Sequence, residues 1–207
     1  MKRLVLITAM LALPTLALAE DEDNIPTDTA VGVGIGIAAP TSSFAPNVAS
    51  ARFRLADGFA IEPTLQFAVD NGRSVVEVPD DETTDSTRAL ALNLGVDARF
   101  RLAQRDNVEL MGIGGAFLGT SVNTNDPEGS DNNTTTSGTS VGLDWGIGVN
   151  WWVHRSFCVS ADVQNPLFAI SSSKTTQEGF DGSQRTSNTS IDIAFLPVAR
   201  MMGHVTF

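Results

Sequence analysis

Cysteine is nearly absent. Cys158 stands alone among 207 residues, so no intrachain disulfide framework holds this fold. Tyrosine is missing altogether, and histidine occurs only as His154 and His204, which leaves few side chains for imidazole chemistry. Basic residues are scarce as well: 13 Lys+Arg against 24 Asp+Glu give a net charge of −11. A nucleic-acid binder needs a basic face, so the negative balance disfavours that class. Beyond residue 19 no apolar run approaches the roughly 20 residues of a membrane helix.

What is present begins with a leader. Lys2-Arg3, an apolar stretch from Leu4 to Leu18 and the close on Ala17-Leu18-Ala19 match the n-region, h-region and cleavage site of a Sec signal peptide. Loss of Lys2 and Arg3 with the leader takes the charge from −11 to −13. Glu20 rather than Cys follows Ala19, so no lipoprotein anchor is expected. The division that follows is signal peptide 1–19, acidic flexible tail 20–29, and one all-β domain over 30–207. The leader sends Cys158 to an oxidising compartment.

From Ala30 onward the pattern alternates with period two, the signature of half-buried strands. Eight strands are expected. The first carries Val31, Val33, Ile35 and Ile37 opposite three glycines, and the second sets Phe53 and Leu55 against Arg52 and Arg54. The third sets Phe59, Ile61, Leu65, Phe67 and Val69 against Glu62, Thr64 and Gln66. In the fourth, Leu90, Leu92, Leu94, Val96, Phe100 and Leu102 oppose Asn93, Asp97, Arg99 and Arg101. The fifth, 108–119, is assigned Met111, Ile113 and Phe117 on its apolar face, with Gly114-Gly115 as a bulge. The sixth sets Val141 to Val153 against Asp144, Gly146, Gly148 and Asn150, and the seventh sets Val159 and Val163 against Asp162 and Gln164. The eighth runs from Ile191 to Phe207, with Asp192, Arg200 and His204 on its polar side. Pro63, Pro166 and Pro197 fall within these strands and require bulges or strand ends, because proline donates nothing to a ladder.

The connections come in two lengths. Residues 56–58, 103–107 and 154–156 are tight turns, whereas 70–88, 120–139 and 171–188 are long and polar. That dichotomy is expected of a closed antiparallel up-and-down transmembrane β-barrel with short periplasmic turns and long extracellular loops. Phe53, Phe59, Phe100, Trp151, Phe157 and Phe207 cluster near the short turns or the C-terminus, as an interfacial girdle does. The polar face then lines the lumen, where isolated charges are expensive. Arg52, Arg54, Arg99, Arg101 and Arg200 are therefore expected to neutralise Glu62, Asp97, Asp144, Asp162 and Asp192. An eight-stranded interior is just wide enough for such side chains. A constricted ion path is the functional alternative to a salt-bridged core.

The last strand, Val198 to Phe207, ends the chain on Phe, with Met201 and Val205 on the same parity. It resembles the C-terminal strand that bacterial outer-membrane proteins present to the barrel-assembly machinery. Leader, strand count and last strand together resemble the OmpA-like and OmpX-like eight-stranded barrels, from about Thr29 to Phe207. The resemblance implies an integral, monomeric outer-membrane protein among lipid and lipopolysaccharide, with a structural, adhesive or envelope-integrity role. No cofactor is expected, the end of the chain at Phe207 leaves no room for the peptidoglycan-binding domain that some OmpA-like proteins append, and any ligand would meet the loops 70–88, 120–139 and 171–188. Three rivals are a narrow porin-like channel, a lipid A-modifying enzyme and a soluble lipocalin-like binder.

Lipid A deacylases resemble this barrel and use a His/Ser pair, which His154 and Ser156 suggest, but these lie in a short periplasmic turn while lipid A is in the outer leaflet. With no base at the outer rim, no enzyme is expected. Cys158 reads as a buried thiol. Asp126, Glu128, Asp131 and Asn132 suit Ca²⁺ in residue type, yet without an EF-hand pattern they read as a solvated acidic loop. Asp80-Asp81-Glu82 and Asp85 read the same way. No metal site is expected.

Overall fold

The computed structural model describes residues 25, 26, 28–39, 45–78, 81–127, 133–179, 182–192 and 197–207, with backbone alone at 73–78, 81–85, 127, 179, 182, 183 and 192. The expected leader and Glu20–Asn24 lie outside the described residues. Regular structure among the described residues is entirely β: β1 (Ala30–Ala39), β2 (Val48–Ala56), β3 (Phe59–Val78), β4 (Asp81–Arg105), β5 (Val108–Pro127), β6 (Thr134–His154), β7 (Phe157–Gly179), β8 (Gly182–Asp192) and β9 (Val198–Thr206). Each strand pairs antiparallel with the next from β1 to β8, β7 also pairs with β9, and β9 pairs back onto β1. The ring has eight staves, because β8 and β9 share the last one: β8 lies along the far half of β7 and β9 along its near half.

The single eighth strand expected over 191–207 is thus two strands. Pro197 sits immediately before β9. Pro166 lies at a bulge, where Leu143 pairs Phe168 but Asp144 pairs Pro166. Opposite Pro63, the β2–β3 ladder lapses between Ser50↔Thr64 and Phe53↔Ile61. All three prolines occupy the interruptions that their missing N–H requires.

The staves differ greatly in length. β1, β2 and β9 have 10, 9 and 9 residues, about what a tilted strand needs to cross a bilayer. β3 to β7 run to 20–25 residues. Their ladders continue to Val78↔Asp81, Asn125↔Thr134 and Gly179↔Gly182. The long loops expected over 70–88, 120–139 and 171–188 are therefore mostly strand. Runs such as Thr134-Thr135-Thr136 and Ser171-Ser172-Ser173 have no apolar alternation because both faces are polar, yet their backbone groups still pair.

The outward face is apolar. Val33, Ile35, Leu90, Leu94, Val96, Leu102, Leu118, Ile147 and Val163 are all exposed. Strand five corrects the expectation: Met111 and Ile113 are buried inside with Glu109 and Phe117 lines the bore, while Leu110 and Leu118 face out, and both ladders run through Gly114-Gly115 without a bulge. The turn at Gly58 needs its glycine, since φ is +70° there and an added Cβ would press on Arg101.

Closure rests on the last residue as well as on β9. Phe207 N–H donates to Val31 O at 2.9 Å, one step beyond Gly32↔Thr206, the last pair of the β1–β9 ladder. An unpaired edge cannot persist in hydrocarbon. Deleting Phe207 is expected to lower membrane insertion far more than deleting residues 20–24, as read by heat-modifiable gel mobility. Equal levels of the two variants would count against this.

Candidate functional site: the charged interior

Alternation points one residue in two into the bore, and the inward positions are mainly polar. Seven strands, β2 to β7 and β9, contribute near the short-turn end. Arg52 and Arg54 come from β2, Glu62 from β3, Asp97, Arg99 and Arg101 from β4, and Glu109 from β5. Asn150 and Trp152 come from β6, Asp162 and Gln164 from β7, Arg200 and His204 from β9.

Three linked layers result. Lowest, Glu109 is fully buried and collects four donors: Arg54 Nη2 at 2.6 Å, Trp152 Nε1 at 2.8 Å, Asn150 Nδ2 at 3.3 Å and Arg101 Nη1 at 3.4 Å. Arg101 also pairs with Asp57 in the first turn, and Arg54 lies 5.5 Å over the Trp152 ring. In the middle, Arg99 forks onto Asp162 with Nη1 and Nη2 at 2.9 and 2.7 Å, and reaches Glu62 at 3.3 Å. Arg52 Nε donates to Glu62 at 2.7 Å. Arg99, Glu62 and the Asp162 side chain are all completely buried. Uppermost, Arg200 Nη2 bridges Asp97 at 2.7 Å and Asp162 at 3.1 Å, and Gln164 Nε2 donates to the same Asp97 oxygen at 2.9 Å.

The structure brings together Arg52, Arg54, Glu62, Asp97, Arg99, Arg101, Asp162 and Arg200. Two other expected members do not join. Asp144 faces inward and, among the described residues, has no salt bridge and no hydrogen-bond partner for its buried Oδ1. The Asp192 side chain lies outside the described residues. Met201 and Val205 are exposed on the outer face and Phe207 more so.

Sequence reasoning missed Glu109 because it put the odd positions of strand five outward. The signal was there: a carboxylate sharing parity with Met111 marks that parity as interior. The sequence places His204 only on the polar side of the last strand. It is fully buried, with Nε2 3.2 Å from Glu62 Oε1 and 3.1 Å from Ser50 Oγ. Both contacts use the same nitrogen. A catalytic triad needs the acid on the opposite ring nitrogen from the nucleophile, and among the described residues His204 Nδ1 has no partner. In the third turn His154 Nδ1 accepts the backbone N–H of Ser156 at 3.1 Å, so the ring caps the turn. Glu128, Asp131, Asn132 and Asp80 lie outside the described residues.

The segment read as a free tail is held at two points. Ile25 is buried against Trp152 and Cys158, and Arg54 Nη1 donates to Pro26 O. An apolar residue there completes a small buried cluster with Trp152 and Cys158. Ile25→Ser should speed maleimide labelling of Cys158 several-fold; unchanged labelling would show that Ile25 does not shield the thiol.

An apolar outer band around a salt-bridged interior inverts the arrangement of a water-soluble barrel. It defines a transmembrane β-barrel, and the fold is that of bacterial outer-membrane proteins. Among solved structures, the chain is similar to a major outer membrane protein from Thermus thermophilus, with a TM-score of 0.60 at 13% identity over 86% of this chain and 99% of that one. Acinetobacter baumannii CarO overlays with a TM-score of 0.44 at 11% identity, over 90% of this chain and 100% of its own. Ail, the attachment invasion locus protein of Yersinia pestis, gives 0.40 at 12% over 88% and 100%. No family model matches the chain, and no curated protein matches it in sequence.

Proposed function

We propose that this chain is a monomeric, non-enzymatic outer-membrane protein whose bore is closed by charge pairs and whose work is contact, made by the sheet it raises outside the membrane. Sec export and the barrel-assembly machinery belong to this reading, as does a lipopolysaccharide neighbourhood. The observation that carries it is the unequal stave length. Beyond Phe67, β3 has β4 as its one ladder neighbour among the described residues, and β8 has only β7. The six strands β3–β8 therefore continue past the short staves as an open sheet with two edges. Edge strands offer a row of backbone donors and acceptors to another extended chain. The faces of this sheet are rich in Ser, Thr and Asn, suited to adaptable hydrogen bonding rather than to burial.

A narrow channel is the second reading. A cavity of about 210 Å³ lies in the bore beyond Arg200 and one of about 330 Å³ lies against β4–β7 further out, and conduction would require the Arg200–Asp97–Asp162 layer to part. Planar bilayers separate the two. The contact reading expects no discrete conductance from the full chain, together with reduced adhesion to a eukaryotic cell monolayer when the β7–β8 hairpin is shortened at 177–184. Conductance steps that shift on Arg99→Gln or Asp97→Asn would establish the channel instead.

A further inference from the structure

Above the Arg200 layer the interior changes character. Asp97, Gly115 and Asp144 form one row across β4, β5 and β6, each directly opposite the next. Gly115 has no side chain, and both carboxylates bend into the space it leaves: a Cβ there would collide with Asp97 Oδ1 and Asp144 Oδ1. Two like charges thus converge on one vacant position. Asp97 is compensated through its other oxygen, which accepts from Arg200 and Gln164. Asp144 has no ion-pair partner among the described residues.

A second, independent group points the same way. Asn165 is 7% exposed and lines the cavity of about 210 Å³ that Asp97 and Asp144 also line. Its amide nitrogen donates to Pro166 O at 2.8 Å, which orients the side chain and leaves Oδ1 without a partner among the described residues. Asn165 pairs with Trp145, one residue from the bulge at Asp144↔Pro166, and is buried where the same cavity meets Asp144. Unpaired oxygens of this kind carry a substantial desolvation cost. The cationic side chains that face the cavity come down to Arg200, already engaged by Asp97 and Asp162.

We propose that the Asp97–Gly115–Asp144 row, with Asn165 Oδ1, is a binding site for a hard metal cation of the Ca²⁺ type at the floor of the bore's outer vestibule. Carboxylate and amide oxygens are the ligands such ions select, with water completing a flexible shell. The cavity has room for those waters. Gly115 keeps the ion's place clear, Asp144 supplies the uncompensated charge, and Asp97 ties the site to the salt-bridged layer below. The site is independent of what the extracellular sheet contacts.

The test uses the full chain refolded in detergent, titrated with CaCl₂ against choline chloride at matched ionic strength. Calorimetry should show one saturable Ca²⁺ site that Asp144→Asn weakens at least tenfold, while any weaker binding by the acidic hairpin tips survives. An identical titration for Asp144→Asn and the native chain overturns the proposal. Infrared difference spectra of the native chain with ¹³C-labelled aspartate give a readout that needs no variant. Ca²⁺ should shift carboxylate stretching bands. A protonated carboxylic-acid band that persists in saturating Ca²⁺ would mean that the pair shares a proton instead, and would equally overturn it.

Discussion

Replacing Arg99 by alanine is expected to destabilise the folded barrel by about 3–5 kcal/mol, the usual cost of removing one partner from a buried ion pair. The guanidinium is completely buried and neutralises Asp162 and Glu62 together. Its loss leaves two carboxylates in a confined space with less compensation, since Arg52 and Arg200 each serve another site as well. Arg99→Lys should recover only part of the loss, because an ammonium cannot reproduce the two parallel bonds to Asp162. Asp162→Ala should also be costly, and the double variant should cost clearly less than the two singles together, which a reversible folding assay in detergent would read. Strict additivity would mean that the two side chains are not coupled.

The second large effect lies on the opposite face of the same strand. Leu94→Arg should cost roughly 2–4 kcal/mol, as a charge does on the lipid side near the midplane. Leu94 is exposed on the barrel wall, in register with Leu65 and Leu118 on its neighbours, both exposed as well. Asn93→Arg points into the outer vestibule, near Asp97 and Asp144, and should be tolerated better. Equal costs for the two substitutions would contradict the assignment of faces.

How far the sequence could be read follows from where the apolar alternation stops. In β4 the leucines mark lipid and the intervening charges mark lumen, so one glance at 90–102 places both faces. The same contrast located Arg52, Glu62, Asp162 and Arg200 before their partners were known. In β5 the contrast fails, because Met111 and Ile113 fill the interior beside Glu109 while Ala116 and glycines dilute the outer face. Beyond the bilayer it vanishes, since strands bathed in water on both sides need no apolar residue. That is why the Thr- and Ser-rich ends of β5 to β8 read as loops. His204 beside Glu62 was illegible for a different reason: residues 142 positions apart in the chain meet only once the ring is closed.

The central claim is that the apolar face of this barrel meets lipid and the charged face does not. Single cysteines in a Cys158→Ser background, labelled with a fluorophore and reconstituted with bilayer lipids carrying quenchers on their acyl chains, test it directly. Leu94→Cys should be quenched and Asn93→Cys should not. Quenching of Asn93→Cys alone would reverse the faces, and quenching of neither would contradict a membrane-spanning barrel.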